Sequence, residues 1–245
     1  VSRILVVTAV PAERDALVAG RHSTAGSVGE LPARHCQTGA GPVDVICSGV
    51  GPVAAALSTA AALSTAAGQG TTAELGQRLG YQLVIAAGIG GGFGPAEPGS
   101  LVVADAVVLA DLGAETADGG FSPLSELGWG EVRFALDPDL AAELAARAGA
   151  STGAVLTVST VTGTAGRAQS LRTAHPDALA EAMEGAGVYQ AAQQAGTRFA
   201  ELRAISNRVG PRDRDSWQIG PALSALGRAF EKILAEPLTA LGVAP

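Results

Sequence analysis

Short apolar runs alternate with longer amphipathic or alanine-rich stretches, and most runs end in glycine, proline or a polar residue. Arg3-Ile-Leu-Val-Val-Thr8 has the continuous apolar character of a strand buried on both faces. Pro11, followed by Ala12-Glu13-Arg14-Asp15-Ala16-Leu17, marks a helix start, because proline fits the first helical turn and carboxylates favour it. Residues 21–42 are rich in Gly and Ser and read as irregular. Residues 44–48 predict a second strand, which delivers Gly49-Val-Gly51-Pro52 and an alanine-rich helix through about Ala67. Residues 68–72 read as a loop. Residues 81–87 predict a third strand running into Gly88-Ile-Gly-Gly-Gly92, and residues 100–105 and 106–112 two more. Residues 113–129 form a polar, Gly-rich excursion. Residues 138–149 predict an amphipathic helix, 155–160 a strand, and 162–171 a Thr/Gly loop entering a helix. Residues 176–182 lead into Met183-Glu184 and a helix through Ala195, then comes a strand over 201–206, and residues 219–241 close the chain as one or two helices. This alternation predicts an α/β fold: a mixed, largely parallel twisted sheet flanked by helices, in a single domain over residues 1–245.

The ends of the strands carry the chemistry. Residues 199–217 pass from a buried strand to Asn207, Arg208 and then Gly210-Pro211-Arg212-Asp213-Arg214-Asp215. A strand that stops at a hydrogen-bonding side chain and enters a charged Gly/Pro loop is where open α/β sheets place ligands, although a plain surface turn reads the same way. Four glycines within 88–92 mean that the backbone passes close to a ligand or a neighbouring strand. Gly49-Val-Gly51 after a strand resembles half of a dinucleotide fingerprint, but Pro52 is unusual there and no acidic residue follows at the spacing of about 20. Glu13 lies between a strand end and a helix start, a position that also suits a surface carboxylate favoured by the helix dipole.

Composition narrows the class. The 245 residues are 47% hydrophobic, much of it alanine, enough for a sizeable core of helices packed closely on a sheet. A net charge of −7 argues against nucleic acid as a partner. Cys36 and Cys47 form no framework and fit a reducing compartment, and the scattered His22, His35 and His175 make no metal-ligand pattern. No signal-type segment opens the chain and no membrane-length apolar run occurs, so the expectation is a soluble, cytoplasmic protein with no membrane partner.

Several ordered stretches together resemble the nucleoside phosphorylase/nucleosidase superfamily. Ala9-Val10-Pro11-Ala12-Glu13 is similar to its "A-M-E-E-E", and Ser48-Gly-Val-Gly51-Pro-Val-Ala-Ala-Ala to "S-G-I-G-K-V-A-A-A". Ala87-Gly-Ile-Gly-Gly-Gly-Phe93 is similar to "T-G-S-A-G-G-L", and Pro98-Gly-Ser-Leu-Val-Val to "V-G-D-I-V-V". Met183-Glu184 stands at "E-M-E-A-A", and Arg203-Ala-Ile-Ser-Asn207 at "R-A-I-S-D". The resemblance covers nearly the whole chain and implies a phosphorylase/hydrolase-like fold, cleavage of an N-glycosidic bond in a small-molecule nucleoside, no metal or organic cofactor, and a homodimer or higher homo-oligomer. It implies Glu13 as the base that activates water and Glu184, beside Met183, as the ribose anchor. Val161 and Thr162 stand where the family sandwiches the base and contacts it through backbone, with Val161 replacing the usual aromatic. Gly88 and Ile89 belong to the glycine segment of the site. Arg203 reads as structural, paired with an internal carboxylate.

Two departures from the family have chemical content. Adenosine-type nucleosidases carry Asp where this chain has Asn207. An amide can donate to O6 of a 6-oxopurine and accept from N7–H, which a carboxylate cannot do, so Asn207 points to a 6-oxopurine base. The continuation Asn207-Arg208-Val209-Gly210-Pro211-Arg212-Asp213 resembles the branch acting on a 6-oxopurine nucleoside with a carboxylated aromatic 5′ arm. For that arm, Arg208, Arg212 and Arg214 are the candidate cations, and Phe93, Phe121, Trp129 and Trp217 the candidate rings. Secondly, the phosphorylases hold phosphate with an Arg and a Ser where this chain has Ala86 and Ile89, which implies water as the nucleophile. The competing readings are an adenosine-type nucleosidase, a non-catalytic nucleoside-binding relative and a nicotinamide-binding protein.

Overall fold

In the computed structural model, residues 3–67 and 80–242 are described, together with the backbone but not the side chains of 65–67. The expected loop at 68–72 lies outside them. Strand β1 (Arg3–Thr8) leads to helix α1 (Pro11–Val18). Next come β2 (Ser23–Val28), β3 (Leu31–Thr38), β4 (Gly41–Cys47) and α2 (Pro52–Ala67). The centre of the chain holds β5 (Tyr81–Gly92), β6 (Leu101–Leu109), β7 (Gly113–Glu115), β8 (Phe121–Pro123), β9 (Arg133–Ala135) and α3 (Pro138–Ala148). The remainder is β10 (Ser151–Thr157), α4 (Ala165–Ala174), β11 (Ala178–Ala182), α5 (Gly185–Gln194), β12 (Arg198–Arg208) and α6 (Ile219–Ile233).

Among the described residues, ten strands form one mixed sheet in the order β11-β10-β6-β12-β5-β1-β4-β3-β2, with β9 added on β6. β11 also pairs with β5, so β5, β12, β6, β10 and β11 close a ring. The parallel pairs are β1 with β4 and β5, β12 with β5, and β10 with β6 and β11. Helices cover both faces. Leu17 and Val18 of α1, Leu140 and Leu144 of α3, and Leu226 and Phe230 of α6 pack on one face. Ala55 and Ala62 of α2 and Ala186, Val188 and Ala192 of α5 pack on the other.

Several boundaries differ from the sequence expectation. Residues 21–42 are not irregular: β2, β3 and β4 form an antiparallel meander. β2 is an edge strand whose residues are mostly solvent-facing, so it owes its form to backbone pairing and leaves no apolar signature. The two strands expected over 100–112 are one continuous strand, β6. The excursion at 113–129 contains the small β7–β8 pair. Residues 178–182, read only as a lead-in, are the strand β11. The third strand does not stop before its glycines but runs through them to Gly92.

Candidate active site

β5 changes neighbours along its length, and the site sits at the change. On one side β12 accompanies it from Leu83 to Gly92. On the other, β1 pairs with it only as far as Ala86, and β11 joins at Gly91. Between these, backbone groups of β5 need other partners. Ile89 N–H falls in that gap and donates to Glu13 Oε1 at 2.9 Å. Gly88 leaves room for the same carboxylate: a Cβ there would stand 2.5 Å from Glu13 Oε1 and 2.7 Å from Arg203 Nη1.

Glu13 reaches this position because it is the third residue of α1, behind Pro11. Its Oε2 turns back to accept from Ala9 N–H at 2.9 Å and Val10 N–H at 3.2 Å, covering donors that the helix start leaves open. It is only 4% exposed, so it is not a solvated surface carboxylate. Burial raises its pKa above the usual carboxylate value, while Arg203 and the Ile89 N–H pull the other way.

Glu184 stands at the N-cap of α5, directly after β11. Its Oε1 accepts from Gly51 N–H at 3.2 Å, and its Oε2 faces Arg203 Nη1 at 3.4 Å. Gly51 turns its N–H there with left-handed backbone, φ 97°. Arg203 is 1% exposed and also donates from Nε to Glu201 Oε1 at 2.8 Å. Burial works against its charge, but Glu201, Glu184 and Glu13 together hold its pKa above the ordinary arginine value. The sequence reading of Arg203 as the partner of internal carboxylates matches this geometry.

Glu13 and Glu184 line a cavity of about 320 Å³ together with Ile89, Val161, Thr162, Met183 and Asn207. Asn207 accepts at Oδ1 from Ser206 Oγ at 2.7 Å and donates from Nδ2 to Arg208 O at 3.0 Å, leaving a lone pair and an N–H free. Two of the expected substrate contacts are not at the cavity surface. Gly88 backs Glu13 from behind it. Arg208 is exposed and pairs with Glu97 at 2.6 Å, because the side chain that follows Asn207 on a strand points to the opposite face. Of the four candidate aromatics Trp217 lines the cavity, while Phe93 is buried in a separate cluster with Leu156 and Leu171.

Of the lining residues that the sequence reading did not single out, Ser206, Val50 and Glu181 bear most on the site. Ser206 orients Asn207, and its place inside the Arg203–Asn207 motif was the available signal. Val50 follows the β4 end and borders the cavity. Glu181 is a buried carboxylate whose Oε1 accepts from Thr162 N–H at 2.9 Å and whose Oε2 accepts from Thr162 Oγ1 at 2.5 Å. The Thr162 backbone donor, expected to meet a base, is thereby already engaged. The signal for Glu181 was a single charge in the small, apolar run Ala178-Leu-Ala-Glu-Ala182.

Residues 3–238 match the phosphorylase superfamily. The chain belongs to that superfamily. It is 52% identical over 231 residues to a futalosine hydrolase of Streptomyces coelicolor, covering 94% of each chain. It is 46% identical over 232 residues to a futalosine hydrolase of Acidothermus cellulolyticus, covering 92% of this chain and 88% of the relative. Among solved structures it is similar to the 5′-methylthioadenosine/S-adenosylhomocysteine nucleosidase of Neisseria meningitidis in complex with methylthio-immucillin-A, with a TM-score of 0.75 and 22% identity over 96% of this chain and 99% of that one. It is also similar to futalosine hydrolase of Helicobacter pylori, with a TM-score of 0.76 and 18% identity over 95% and 97% of the two chains. At these identities the structural likeness speaks for the shared fold. The cavity brings three buried carboxylates, Glu13, Glu181 and Glu184, and the Asn207 amide to one space, with no Lys, Arg or His among the described residues that line it.

Proposed function

We propose that the chain hydrolyses futalosine at its N-glycosidic bond, releasing hypoxanthine and dehypoxanthine futalosine in menaquinone biosynthesis. The observation that carries this reading is the 52% identity, over 94% of both chains, to a futalosine hydrolase. The cavity supplies a mechanism. Glu13 takes a proton from the attacking water and its charge favours the developing ribosyl cation. Glu184 accepts from the ribose hydroxyls. Asn207 donates to O6 and accepts from N7–H of the departing base, with the N7 proton drawn from solvent because an amide has no acidic proton to give. Val161 and Met183 supply apolar contact. Trp217 meets the aromatic 5′ arm, and Arg214, in the same turn, meets its carboxylate. With no cation among the described lining residues, phosphate has no counter-charge from them, which supports water as the nucleophile.

Chromatography of the purine released from futalosine, inosine and 5′-methylthioadenosine, with and without phosphate, tests this. Hypoxanthine from futalosine at a rate indifferent to phosphate is expected. Adenine from methylthioadenosine, or a requirement for phosphate, would overturn it. Within this reading, Asn207→Asp is expected to lower the preference for a 6-oxopurine over its 6-amino counterpart by at least about tenfold in kcat/KM, since the carboxylate cannot donate to O6. An unchanged ratio would remove Asn207 from base selection.

This reading puts the reaction in the cytoplasm, and the free thiols of Cys36 and Cys47 support it; no described helix is long and apolar enough to cross a membrane. The enzyme works as a homodimer or higher homo-oligomer through the start of α2. Val53 and Leu57, 71% and 68% exposed, form an apolar stripe with Val50, which borders the cavity. The double variant Val53→Glu/Leu57→Glu is expected to run as a monomer by light scattering at concentrations where the parent does not. A parent that is itself monomeric would refute this assembly.

A further inference from the structure

Resting on that reading of the reaction, we propose that Glu201 is a positioning residue for the hydrolysis: from behind Arg203 it holds that guanidinium and offsets its charge, so that Glu13 stays basic enough to take a proton from water. Glu201 is not among the residues that line the cavity, so it acts through Arg203 and through its own charge, not by touching the substrate. One cation is shared among three carboxylates. Arg203 donates from Nε to Glu201 Oε1 at 2.8 Å and turns Nη1 to Glu184 Oε2 at 3.4 Å. A Cβ on Gly88 would meet Glu13 Oε1 at 2.5 Å and Arg203 Nη1 at 2.7 Å, so the base and the same Nη1 lie side by side over that glycine. Among the described residues Glu13 nevertheless takes its hydrogen bonds from the backbone N–H groups of Ala9, Val10 and Ile89, not from Arg203. Glu201 anchors the guanidinium at Nε, and only Nη1 is presented to the two cavity carboxylates.

Room for this additional carboxylate comes from one residue. A Cβ on Gly185 would stand 2.2 Å from Glu201 Oε2 and 2.5 Å from Glu201 Oε1. Gly185 follows Glu184 in the stretch that resembles E-M-E-A-A, where the pattern has alanine. An alanine methyl and the Glu201 carboxylate exclude each other, so the glycine and the buried acid are one joint departure from the pattern. Glu201 is fully buried, yet its Oε2 and Arg203 Nη2 have no hydrogen-bond partner among the described residues. A buried ion pair satisfied that incompletely adds little stability over apolar side chains of the same volume, which points to a role for its charge.

That role follows from what surrounds the base. Burial raises the pKa of Glu13 most; Arg203 and the N–H groups of Ile89 and Ala9 lower it, and Glu184 raises it. The charged groups that face Glu201 are Arg203 and Glu184. A guanidinium whose charge is already offset at Nε does less to stabilise the anion of Glu13, so Glu13 stays the stronger base. The added negative charge also favours the ribosyl cation that develops in the cavity. Asn207 has no acidic proton to give the departing base, so more of the transition-state stabilisation falls to the water side.

The test is the pH profile of kcat/KM on futalosine for the wild type and Glu201→Gln. Glu13 works in its base form, so activity is present above its pKa and is lost as pH falls through it. Glu201→Gln keeps an oxygen for Arg203 Nε and removes the charge. Its acid limb is expected to move to lower pH by at least about half a unit, and its plateau kcat to fall about tenfold, because the base is weaker. An acid limb at the wild-type position, whatever the loss of activity, would show that Glu201 only packs Arg203 in place, and would overturn the proposal. If Glu201→Gln does not fold, the double variant Gly185→Ala/Glu201→Val takes its place, since it sets methyl groups where the carboxylate was. The same downward move is expected of it, and an unmoved limb is again decisive against the proposal. A wild type that releases no hypoxanthine from futalosine defeats the reading of the reaction itself, whereas release combined with an unmoved limb in the variant defeats only the role of Glu201.

Discussion

Glu13→Gln is expected to lower kcat on futalosine by about 10³-fold, the scale of a lost general base, while affinity for hypoxanthine stays within a few-fold. The amide cannot take a proton from water, but it is nearly isosteric, and the cavity wall it forms keeps its shape. One local cost is foreseeable. Glu13 accepts three backbone N–H groups through its two oxygens, and an amide presents a donor to one side of that cradle. Circular dichroism therefore has to accompany the kinetics. Retention of more than a tenth of the parent kcat would rule out Glu13 as the base and leave the non-catalytic relative as the better reading. The pH profile supplies an independent check. Burial raises the pKa of Glu13, and the base form is the one that works. Activity is thus present above that raised value and declines as pH falls through it. The acid limb of kcat/KM is expected above the ordinary carboxylate range, and to be absent from the residual activity of Glu13→Gln.

Arg203→Met is expected to cost about 3–5 kcal/mol of unfolding free energy in urea, the range for removing one partner of a buried ion pair. Glu201 loses its donor at Oε1 and is left fully buried; burial already raises its pKa, so it would take up a proton in the variant. Glu184 loses its contact with Nη1, and Glu13 loses the positive charge that offsets burial. The acid limb of the activity profile should therefore move to higher pH as well. Adding Glu201→Met removes the stranded carboxylate, and most of the lost stability is expected to return in the double variant. A stability loss below about 1 kcal/mol in the single variant would mean that Arg203 is no keystone of this cluster. Glu201 Oε2 and Arg203 Nη2 have no hydrogen-bond partner among the described residues, so the cluster is already incompletely satisfied.

Much of the cavity was legible because it is built at strand ends. Glu13 follows Pro11, Asn207 closes an apolar run, and Met183-Glu184 precedes a helix; in each place a polar side chain interrupts a pattern that burial otherwise keeps apolar. Glu181 interrupts the same kind of pattern, yet it was passed over because residues 178–182 were not read as a strand. Five residues, three of them alanine, carry too little periodicity to declare one. Arg208 failed in the opposite way. Its type suited an anionic ligand, but a one-residue step along β12 sends its side chain to Glu97 and away from the cavity.

The sequence by itself determined the α/β class and most of the helices and central strands, because hydrophobic period and helix-start chemistry are local properties. It also determined that a carboxylate at 13 and an amide at 207 would stand at the ends of strands. Only the tertiary structure decided that β5 leaves β1 at Ala86 and joins β11 at Gly91, which opens the gap that Glu13 fills. The same pairing sets Glu181 beside Gly91, opposite Asn207. Strand partners far apart in the chain are chosen by the packing of the whole sheet, and no local pattern carries that information.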